Sequence, residues 1–381
     1  MEFGWTDKQE EAYTSSISFA QQYLNDDLRE RDENATFDMA LWRKCSEFGV
    51  LGWCMPKEYS GASLDVVSTI RMLEGIGYGC RDNALTLGLN GQIWSVQEPL
   101  LQFGSEQMKK RYLPRLCSGE LLAAHGMTEA DSGSDAFSLK TRAEKVSGGY
   151  LLNGKKSYIG LAPVAGITLV FASTNPDARQ WGVSAFIVES GFDGYTASPQ
   201  RQKMGLRTSP LGDIVLEDCF VPEENRLGPE GSGVNIFNHS MDWERSFIFT
   251  SHVGSMARQL DECVQYARQR EQFGKPIGDF QSVSNRLANM KLRLETARLL
   301  LYKLAWMKQR GDHAALEAAM TKLHLGESFA ANSLDAMRIH GARGYLSEFE
   351  LERDLRDALG GVIYSGTSDI QRNIISRLLE L

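Results

Sequence analysis

The residue types best suited to chemistry first occur together in the segment 126–135, which reads GMTEADSGSD. Glycine and serine leave backbone NH groups unshielded, so such a loop can closely approach the edge of a flavin and its pyrophosphate. Taken alone, the segment is also compatible with an ordinary Ser/Gly turn. Two further polar segments follow it in the chain: REQFGKPIG at 270–278, which continues to Phe280 and Gln281, and IYSGTSDIQR at 363–372.

Helical spacing of apolar residues dominates both ends of the chain. Up to about Ser118 they recur at helical intervals, as in Leu41, Trp42 and Cys45, which predicts an N-terminal helical part. After Gly233 the helical period returns and holds to the end. It predicts long amphipathic helices at residues 256–270, 283–310 and 313–338.

The middle of the chain has a different pattern, made of short β-branched runs at 150–152, 167–171, 184–188 and 214–216. The runs are separated by turn signals, and those at 147–149 and 153–154 suit β-hairpins. We therefore predict an α+β protein whose helical, β and helical parts share one interior. The predicted boundaries are 1–120, 121–228 and 229–381.

Bulk composition excludes several classes of protein. The chain has 381 residues, 42% of them hydrophobic, and a formal net charge of -8, which argues against a nucleic-acid binder or a membrane-surface protein. Its six cysteines lack CxxC spacing and its six histidines form no HxxxH pair, so no disulfide framework or metal site is predicted. No run reaches membrane-spanning length and no targeting pattern opens the chain. We expect an unprocessed, soluble, cytoplasmic protein.

The three polar segments, the order of helical and β parts, and the motif GARGY at 341–345 resemble the acyl-CoA dehydrogenase family over essentially the whole chain. The resemblance implies an N-terminal helical domain, a central β-barrel-like domain and a C-terminal four-helix bundle. It also implies FAD bound between the last two domains, and a homotetramer built as a dimer of dimers. The implied activity is the oxidation of an acyl group held as a thioester.

Motif matches to the family assign the cofactor contacts. Residues expected at the FAD of their own subunit are Met127, Thr128, Ser134, Tyr158, Gly160, Thr367 and Asp369. Residues expected at the FAD of a neighbouring subunit are Arg270, Phe273, Gln281 and Arg338, and Gly341 of the GARGY motif is also expected at the cofactor. Tyr158 stands where the family usually has a tryptophan against the isoalloxazine.

Two of these positions depart from the family pattern. Gly160 occupies a place where the family commonly has a Ser or Thr hydroxyl near flavin N5, so that hydrogen bond would have to come from backbone or water. Arg338 replaces a usual Gln beside the neighbouring diphosphate. Its cation either contacts the phosphate or pairs with a local carboxylate on the helix surface.

The base that removes the α-proton of a thioester must be a carboxylate poised at the substrate, and a dry site can raise its pKa toward the working pH. The most common family position for this glutamate falls on Ser365, whose hydroxyl cannot do the same work without an adjacent base. The chain is then either catalytically dead or takes its base from elsewhere. Glu244 lies 26 positions before Arg270, the register of the helix-borne glutamate in isovaleryl-type members. We expect Glu244 to be the base rather than part of a surface salt bridge.

We expect the neighbours of Glu244 in the segment MDWER to lie at the substrate site, and two roles are open for each of them. Asp242 and Arg245 either form a surface pair or brace the site, and Trp243 is either pocket wall or core packing. At Ser365 the backbone NH keeps the family's role. Together with a ribityl hydroxyl of FAD it would stabilise the developing enolate, which is typically worth about 3 kcal/mol per donor.

The acyl group is the least determined part of the prediction. A base on the helix goes with branched or short acyl chains in the family, and also with members that oxidise prolyl groups on acyl or peptidyl carrier proteins in natural-product pathways. This chain looks closest to the prolyl-carrier branch, and a coenzyme A thioester substrate is the alternative. The basic run at 109–111 is either a docking patch for an acidic carrier protein or a solvated helix face. Other possibilities are a flavin monooxygenase or oxidase on the same fold and a non-catalytic thioester-binding scaffold, and the electron acceptor is an electron-transfer flavoprotein or O2.

Overall fold

In the computed structural model, which describes residues 4–381, the N-terminal part is made of α-helices, as predicted. Side chains of Thr6, Asp38, Asp65, Asp82 and Ser105 accept hydrogen bonds from the first-turn NH groups of five of them, which offsets the unpaired donors at a helix start. The helices are α1 (Asp7–Tyr23), α2 (Leu28–Glu33), α3 (Met39–Glu47), α4 (Val66–Gly79), α5 (Asn83–Gln92), α6 (Glu98–Phe103) and α7 (Glu106–Cys117). A buried π-helical turn, Ile93–Gln97, joins α5 to α6.

The central part is one eight-stranded sheet. Its strands are β1 (Ala123–Gly126), β2 (Arg142–Val146), β3 (Gly149–Gly160), β4 (Ile167–Ser173), β5 (Val183–Glu189), β6 (Tyr195–Ala197), β7 (Leu211–Pro222) and β8 (Arg226–Leu227). They follow the order β6-β7-β3-β2-β4-β5-β8, with β1 pairing in parallel with β4. Within residues 4–381 no pairing joins β6 to β8, so the sheet is open. The sheet domain was predicted correctly, and the barrel-like description is corrected to an open sheet.

Only one of the two predicted hairpin turns is a turn. The chain reverses between β2 and β3 at Gly148, whose φ is +82°. Asn153 and Gly154 instead lie inside β3, at a shift in its register against β7. A Cβ on Gly154 would lie 2.5 Å from Oγ1 of Thr141, so the glycine permits a close approach at a β-bulge. The prediction of a hairpin at 153–154 was wrong.

The C-terminal part is helical apart from a two-stranded hairpin. Its elements are α8 (Gly233–Phe247), α9 (Thr250–Gln269), β9 (Glu271–Gln272), β10 (Lys275–Pro276), α10 (Gln281–Gln309), α11 (Ala315–His340), α12 (Ala342–Tyr345), α13 (Leu351–Gly360) and α14 (Ser368–Leu378). α9, α10 and α11 pack on one another, while α8, α13 and α14 pack on α11. The long helices agree with the predicted amphipathic stretches. The boundaries predicted after residues 120 and 228 fall between α7 and β1 and between β8 and α8.

The first and last parts of the chain share one buried apolar cluster, which runs from Ala20 to Ala358. Two glycines mark the closest contact within it, between α4 and α9. A Cβ on Gly77 would lie 1.7 Å from the carbonyl oxygen of Ser251, and a Cβ on Gly254 would lie 2.0 Å from that of Glu74. The two helix backbones therefore touch without intervening side chains. No helix among the described residues is long and apolar enough to cross a membrane.

Replacing Gly254 by alanine is expected to destabilise the protein by about 3 kcal/mol, the upper end for an overpacked core. The added methyl would meet backbone atoms of α4, which cannot rotate away as a side chain could. Gly91→Ala is a matched control, since that helical glycine has only Ile248 Cδ1 at 3.9 Å and alanine favours helix by about 1 kcal/mol. Urea unfolding would test both variants. Equal midpoints for them would contradict the close contact between the helices.

Candidate active site

Helix α8 and the loop 364–367 bring together the two residues predicted to be catalytic. Ser365 Oγ donates a hydrogen bond to Glu244 Oε1 at 2.5 Å. Burial raises the pKa of Glu244, while the hydrogen bond from Ser365 and the positive charges of Arg245 and Lys322 oppose that rise. A carboxylate in this setting can be ionised at neutral pH and still be a better proton acceptor than one in water.

The loop that carries Ser365 is held in shape by α14. Gln371 is fully buried, and its Nε2 donates to the carbonyl oxygens of Ser365 at 3.3 Å and Gly366 at 3.0 Å. Thr367 caps α14 by accepting from the NH of Ile370 at 3.1 Å. Ser365 and Gly366 both have positive φ, +55° and +83°, so the loop turns sharply and presents the serine side chain to α8.

Lys322 is a neighbour of this site that sequence reasoning missed. It is buried on α11, and its Nζ donates to the carbonyl oxygen of Gly361 at 3.0 Å. The pKa of Lys322 is lowered to about 8, because burial and the positive charge of Arg245 together outweigh the negative charge of Glu244. The available signal was a lysine among the apolar residues of a predicted amphipathic helix, a position at which lysine is seldom found unless it has a partner.

Asp242 and Arg245 do not pair with each other. The Asp242 carboxylate contacts Lys308 Nζ on α10, and Ser246 Oγ donates to the Asp242 carbonyl oxygen at 2.6 Å. Arg245 has a buried Nε without a hydrogen-bond partner among the described residues, and burial lowers its pKa. The surface-pair alternative is therefore wrong for these two residues. Arg245 lies beside Glu244 as a counter-charge instead.

Trp243 is part of an aromatic stack. Its ring lies parallel to that of Trp94, with centroids 5.7 Å apart and an interplanar angle of 8°, and Phe247 lies tilted against it at 5.8 Å. Lys308 Nζ lies 5.1 Å from the Trp243 ring centre. Trp94 belongs to the π-helical turn between α5 and α6, a distortion that often occurs at functional sites. These contacts support the core-packing alternative for Trp243.

A buried ion pair holds the loop that follows β1. This loop contains Met127 and Thr128 and is called the Met127 loop below. Lys156 of β3 is fully buried, and its Nζ donates to the Met127 carbonyl oxygen at 3.1 Å and to Glu129 Oε1 at 2.9 Å. The NH of Ser157 donates to the Thr128 carbonyl oxygen at 2.8 Å. Sequence reasoning missed Lys156, although it has the same parity along β3 as the buried Tyr150 and Leu152, unlike the exposed Lys155 before it.

The end of β3 presents an open surface next to this loop. Tyr158 is 53% exposed and has φ +60°, and Arg201 lies 5.1 Å from its ring centre. A Cβ on Gly160 would have no atom within 4 Å. Ser134 is exposed at the far side of the loop. An uncovered aromatic ring beside free space suits contact with a planar aromatic group.

Helix α8 links the two halves of the site. Phe237 packs with its ring centroid 6.1 Å from His125 of β1 and 5.3 Å from Phe137 beyond the loop. Glu244 follows Phe237 by seven residues on the same helix, a rise of roughly 10 Å. The position of the carboxylate is therefore tied to the strand that leads into the Met127 loop.

The four residues predicted to reach a neighbouring FAD lie elsewhere together with Gly341, around the hairpin β9–β10 and the end of α11. All five are exposed, and in the described part of the chain no hydrogen bond or ion pair joins them to Glu244 or Ser365. Phe273 is 94% exposed and has φ +51°. Arg338 Nη1 lies 3.6 Å from Asp335. Asp335 also pairs with Arg286 and Arg293 at 3.0 and 2.8 Å, so the contact with Arg338 is the longest of three.

The basic run 109–111 is largely neutralised by nearby carboxylates. Lys109 pairs with Glu106 at 3.2 Å, and Arg111 pairs with Glu189 at 2.5 Å and Glu224 at 3.5 Å. This arrangement agrees with a solvated helix face rather than a docking patch.

Comparison with known protein families identifies the chain. The acyl-CoA dehydrogenase N-terminal domain matches residues 6–120, the middle domain matches 124–219 and the C-terminal domain matches 231–379. The chain belongs to the acyl-CoA dehydrogenase family. The resemblance inferred from the three polar segments is thereby confirmed, and so is the three-part α+β fold of the chain.

Similar individual proteins act on prolyl groups, according to their names. The L-prolyl-[peptidyl-carrier protein] dehydrogenase of Pseudomonas fluorescens is 44% identical over 346 residues, which cover 91% of each chain. Among solved structures, the prolyl acyl carrier protein oxidase AnaB has 46% identity and a TM-score of 0.98, and the match covers 99% of this chain and 100% of AnaB. PigA with FAD and proline has 38% identity and a TM-score of 0.97, covering both chains completely.

Proposed function

We propose that this protein is an FAD-dependent dehydrogenase that oxidises an L-prolyl group held as a thioester on a peptidyl carrier protein. The observation that carries the chemistry is the Glu244 carboxylate, held 2.5 Å from Ser365 Oγ and surrounded by protein. The prolyl group is supported by the names and high similarity of the relatives, two of which are a prolyl-carrier dehydrogenase and a prolyl-carrier oxidase.

The residues around the Met127 loop fit FAD. Met127, Thr128, Ser134 and Tyr158 would hold it, with Thr367 and Asp369 at the N-terminus of α14, where backbone NH groups favour phosphate. The exposed Tyr158 ring and the free space at Gly160 suit the isoalloxazine. When bound, FAD supplies the acceptor of the substrate's hydride.

The residues of this chain carry the proton chemistry. Glu244 takes the α-proton of the thioester, and its raised pKa makes it a stronger base than an exposed glutamate. The backbone NH of Ser365 polarises the thioester carbonyl and stabilises the enolate that develops, a contribution of about 3 kcal/mol for one donor. Arg245 and Lys322 keep Glu244 ionised between turnovers. A four-electron oxidation would require a second round.

The proposed assembly is a homotetramer built as a dimer of dimers, in which Arg270, Phe273, Gln281 and Arg338 reach the FAD of a neighbouring subunit. The exposure of the Phe273 ring supports this, because a phenylalanine at the tip of a hairpin loses favourable burial unless another surface covers it. The reduced cofactor would be reoxidised by an electron-transfer flavoprotein or O2. We place the enzyme in the cytoplasm, since all six cysteines are free thiols.

The function is tested by offering the purified yellow protein three substrates under anaerobic conditions: prolyl-carrier protein, isovaleryl-CoA and butyryl-CoA. We expect prolyl-carrier protein to bleach the flavin fastest, by at least about tenfold, because a site matched to one acyl group discriminates by 1–3 kcal/mol or more. Free L-proline with unloaded carrier is the control. Faster bleaching by isovaleryl-CoA would replace the proposal with a branched-chain acyl-CoA dehydrogenase, and no bleaching by any thioester would indicate a scaffold.

A further inference from the structure

The Ser365 side chain makes a contact that its proposed backbone role does not require. Its Oγ lies 2.5 Å from Glu244 Oε1, at the short end for a hydroxyl that donates to a carboxylate. The two residues are 121 positions apart and belong to different elements, α8 and the loop before α14. The bond therefore joins the base to the residue whose NH would face the thioester.

The rest of the loop aims this hydroxyl. Ser365 has φ +55°, a conformation that a serine adopts only when its surroundings hold it there. Gln371 supplies that restraint through its hydrogen bonds to the carbonyl oxygens of Ser365 and Gly366. On the other side, Lys322 holds the Gly361 carbonyl oxygen. The hydroxyl is thus placed by buried groups on two helices.

Charges also surround Glu244, but they do not replace the hydroxyl. Arg245 on α8, Lys322 on α11 and Tyr364 in the loop are the ionisable groups that face it, with Arg377 acting on Arg245 and Asp357 acting on Tyr364. In the part of the chain that the structure describes, the Ser365 hydroxyl is the one hydrogen-bond donor to the Glu244 carboxylate. A single donor then decides which way that carboxylate points.

We propose that the Ser365 hydroxyl is a positioning residue for proton abstraction, because it holds the Glu244 carboxylate in one orientation and favours its ionised form. The proposal rests on the function proposed above and deepens it. Ser365 thus donates two hydrogen bonds in the proposed site: its NH to the substrate carbonyl and its Oγ to the base Glu244.

Removing the Ser365 hydroxyl is expected to raise the pKa of Glu244. The hydrogen bond from Ser365 lowers the pKa of Glu244, so without it the pKa of Glu244 rises further and the ionised form appears only at higher pH. Ser365→Gly is the cleanest variant, since glycine keeps the backbone NH and accepts a positive φ without strain. Ser365→Asn restores a side-chain donor, and asparagine also tolerates that backbone conformation.

The test compares the pH profiles of flavin reduction by prolyl-carrier protein in the wild type, Ser365→Gly and Ser365→Asn holoenzymes. We expect Ser365→Gly to be about tenfold slower than wild type on the acid limb, where the lost hydrogen bond leaves less of Glu244 ionised, and about threefold slower on the alkaline plateau, where the carboxylate is ionised but no longer held in one orientation. Ser365→Asn should recover part of both losses, and Ser347→Ala, which removes an exposed remote hydroxyl, should change nothing. A Ser365→Gly profile that matches the wild type on the acid limb or on the plateau would overturn the proposal.

A second readout is independent of turnover. The infrared carbonyl band of protonated Glu244, assigned by its absence in Glu244→Gln, can be titrated in each holoenzyme. We expect this titration to move to higher pH in Ser365→Gly, and an identical titration in wild type and variant would refute the role of the hydroxyl. If prolyl-carrier protein fails to reduce the wild-type flavin, the proposed substrate is wrong, yet the infrared titration still decides the role of the hydroxyl.

Discussion

Glu244→Gln is expected to slow flavin reduction by the prolyl thioester by about 10²- to 10⁴-fold, the usual contribution of a general base. Glutamine has the shape of glutamate and its amide oxygen can still accept from the Ser365 hydroxyl, so the loop and helix should keep their positions. The amide cannot take the α-proton. Stopped-flow measurement of flavin bleaching at saturating carrier protein would determine the loss.

The control for this variant is Glu295→Gln on α10, another helical glutamate whose ion pairs with Lys291 and Arg298 lie at the surface. It should retain the wild-type rate, because exposed ion pairs contribute little. FAD content and thermal stability of both variants should match the wild type. Bleaching of Glu244→Gln at the wild-type rate would show that the base lies elsewhere.

Lys156→Met is expected to have the largest effect on the protein as a whole, costing about 3 to 5 kcal/mol of stability and most of the bound FAD. The substitution leaves the Glu129 carboxylate buried and without its counter-charge, which is the costly way to break such a pair. Glu129 also accepts from the NH of Thr141 at 3.0 Å and of Lys140 at 2.6 Å, so it cannot turn to solvent without disrupting the start of β2. The Met127 carbonyl loses its donor at the same time.

Lys155→Met is the matched control, since that lysine is exposed and its buried partner Asp213, which lies 3.0 Å away, keeps a second ion pair with Arg201 at 2.7 Å. It should cost less than about 1 kcal/mol. Adding Glu129→Gln to Lys156→Met should recover part of the loss, because the remaining buried group is then neutral. Urea unfolding and the flavin-to-protein absorbance ratio measure the two effects. Full FAD occupancy in Lys156→Met would show that the ion pair does not hold the cofactor loop.

Much of the fold and the positions of the proposed base and loop could be predicted from the sequence, because they depend on local period and on motifs. Helices such as α10 and α11 bury one regular stripe, and the register of Glu244 against Arg270 can be counted along the chain. Pairing between distant elements has no such local signal. The open edge of the sheet and the stack of Trp243 on Trp94 arise from three-dimensional packing, which the spacing of residues does not encode.

Lys156 and Ser365 show why the rest of the site was missed. Lys156 has the same parity along β3 as the buried Tyr150 and Leu152, so alternation placed it on the inner face. Lysine is seldom buried without a partner, and its partner Glu129 lies on a loop 27 positions away, which alternation does not reveal. At Ser365 the contact with Glu244 depends on a positive φ set by Gln371, a tertiary restraint on a residue type that rarely adopts that conformation.

The contact of α4 with α9 also limits how this enzyme can be recombined with its relatives. Gly77 and Gly254 contact the backbone of the opposite helix. Each of the two helices therefore requires a glycine on the other at the point of contact. A chimera that took its first third from another family member would place a foreign helix against Gly254. Such exchanges will succeed when the incoming helix also has a glycine opposite Ser251. The helical parts at the two ends of the chain can be told apart in the sequence, but α4 and α9 have to be exchanged together.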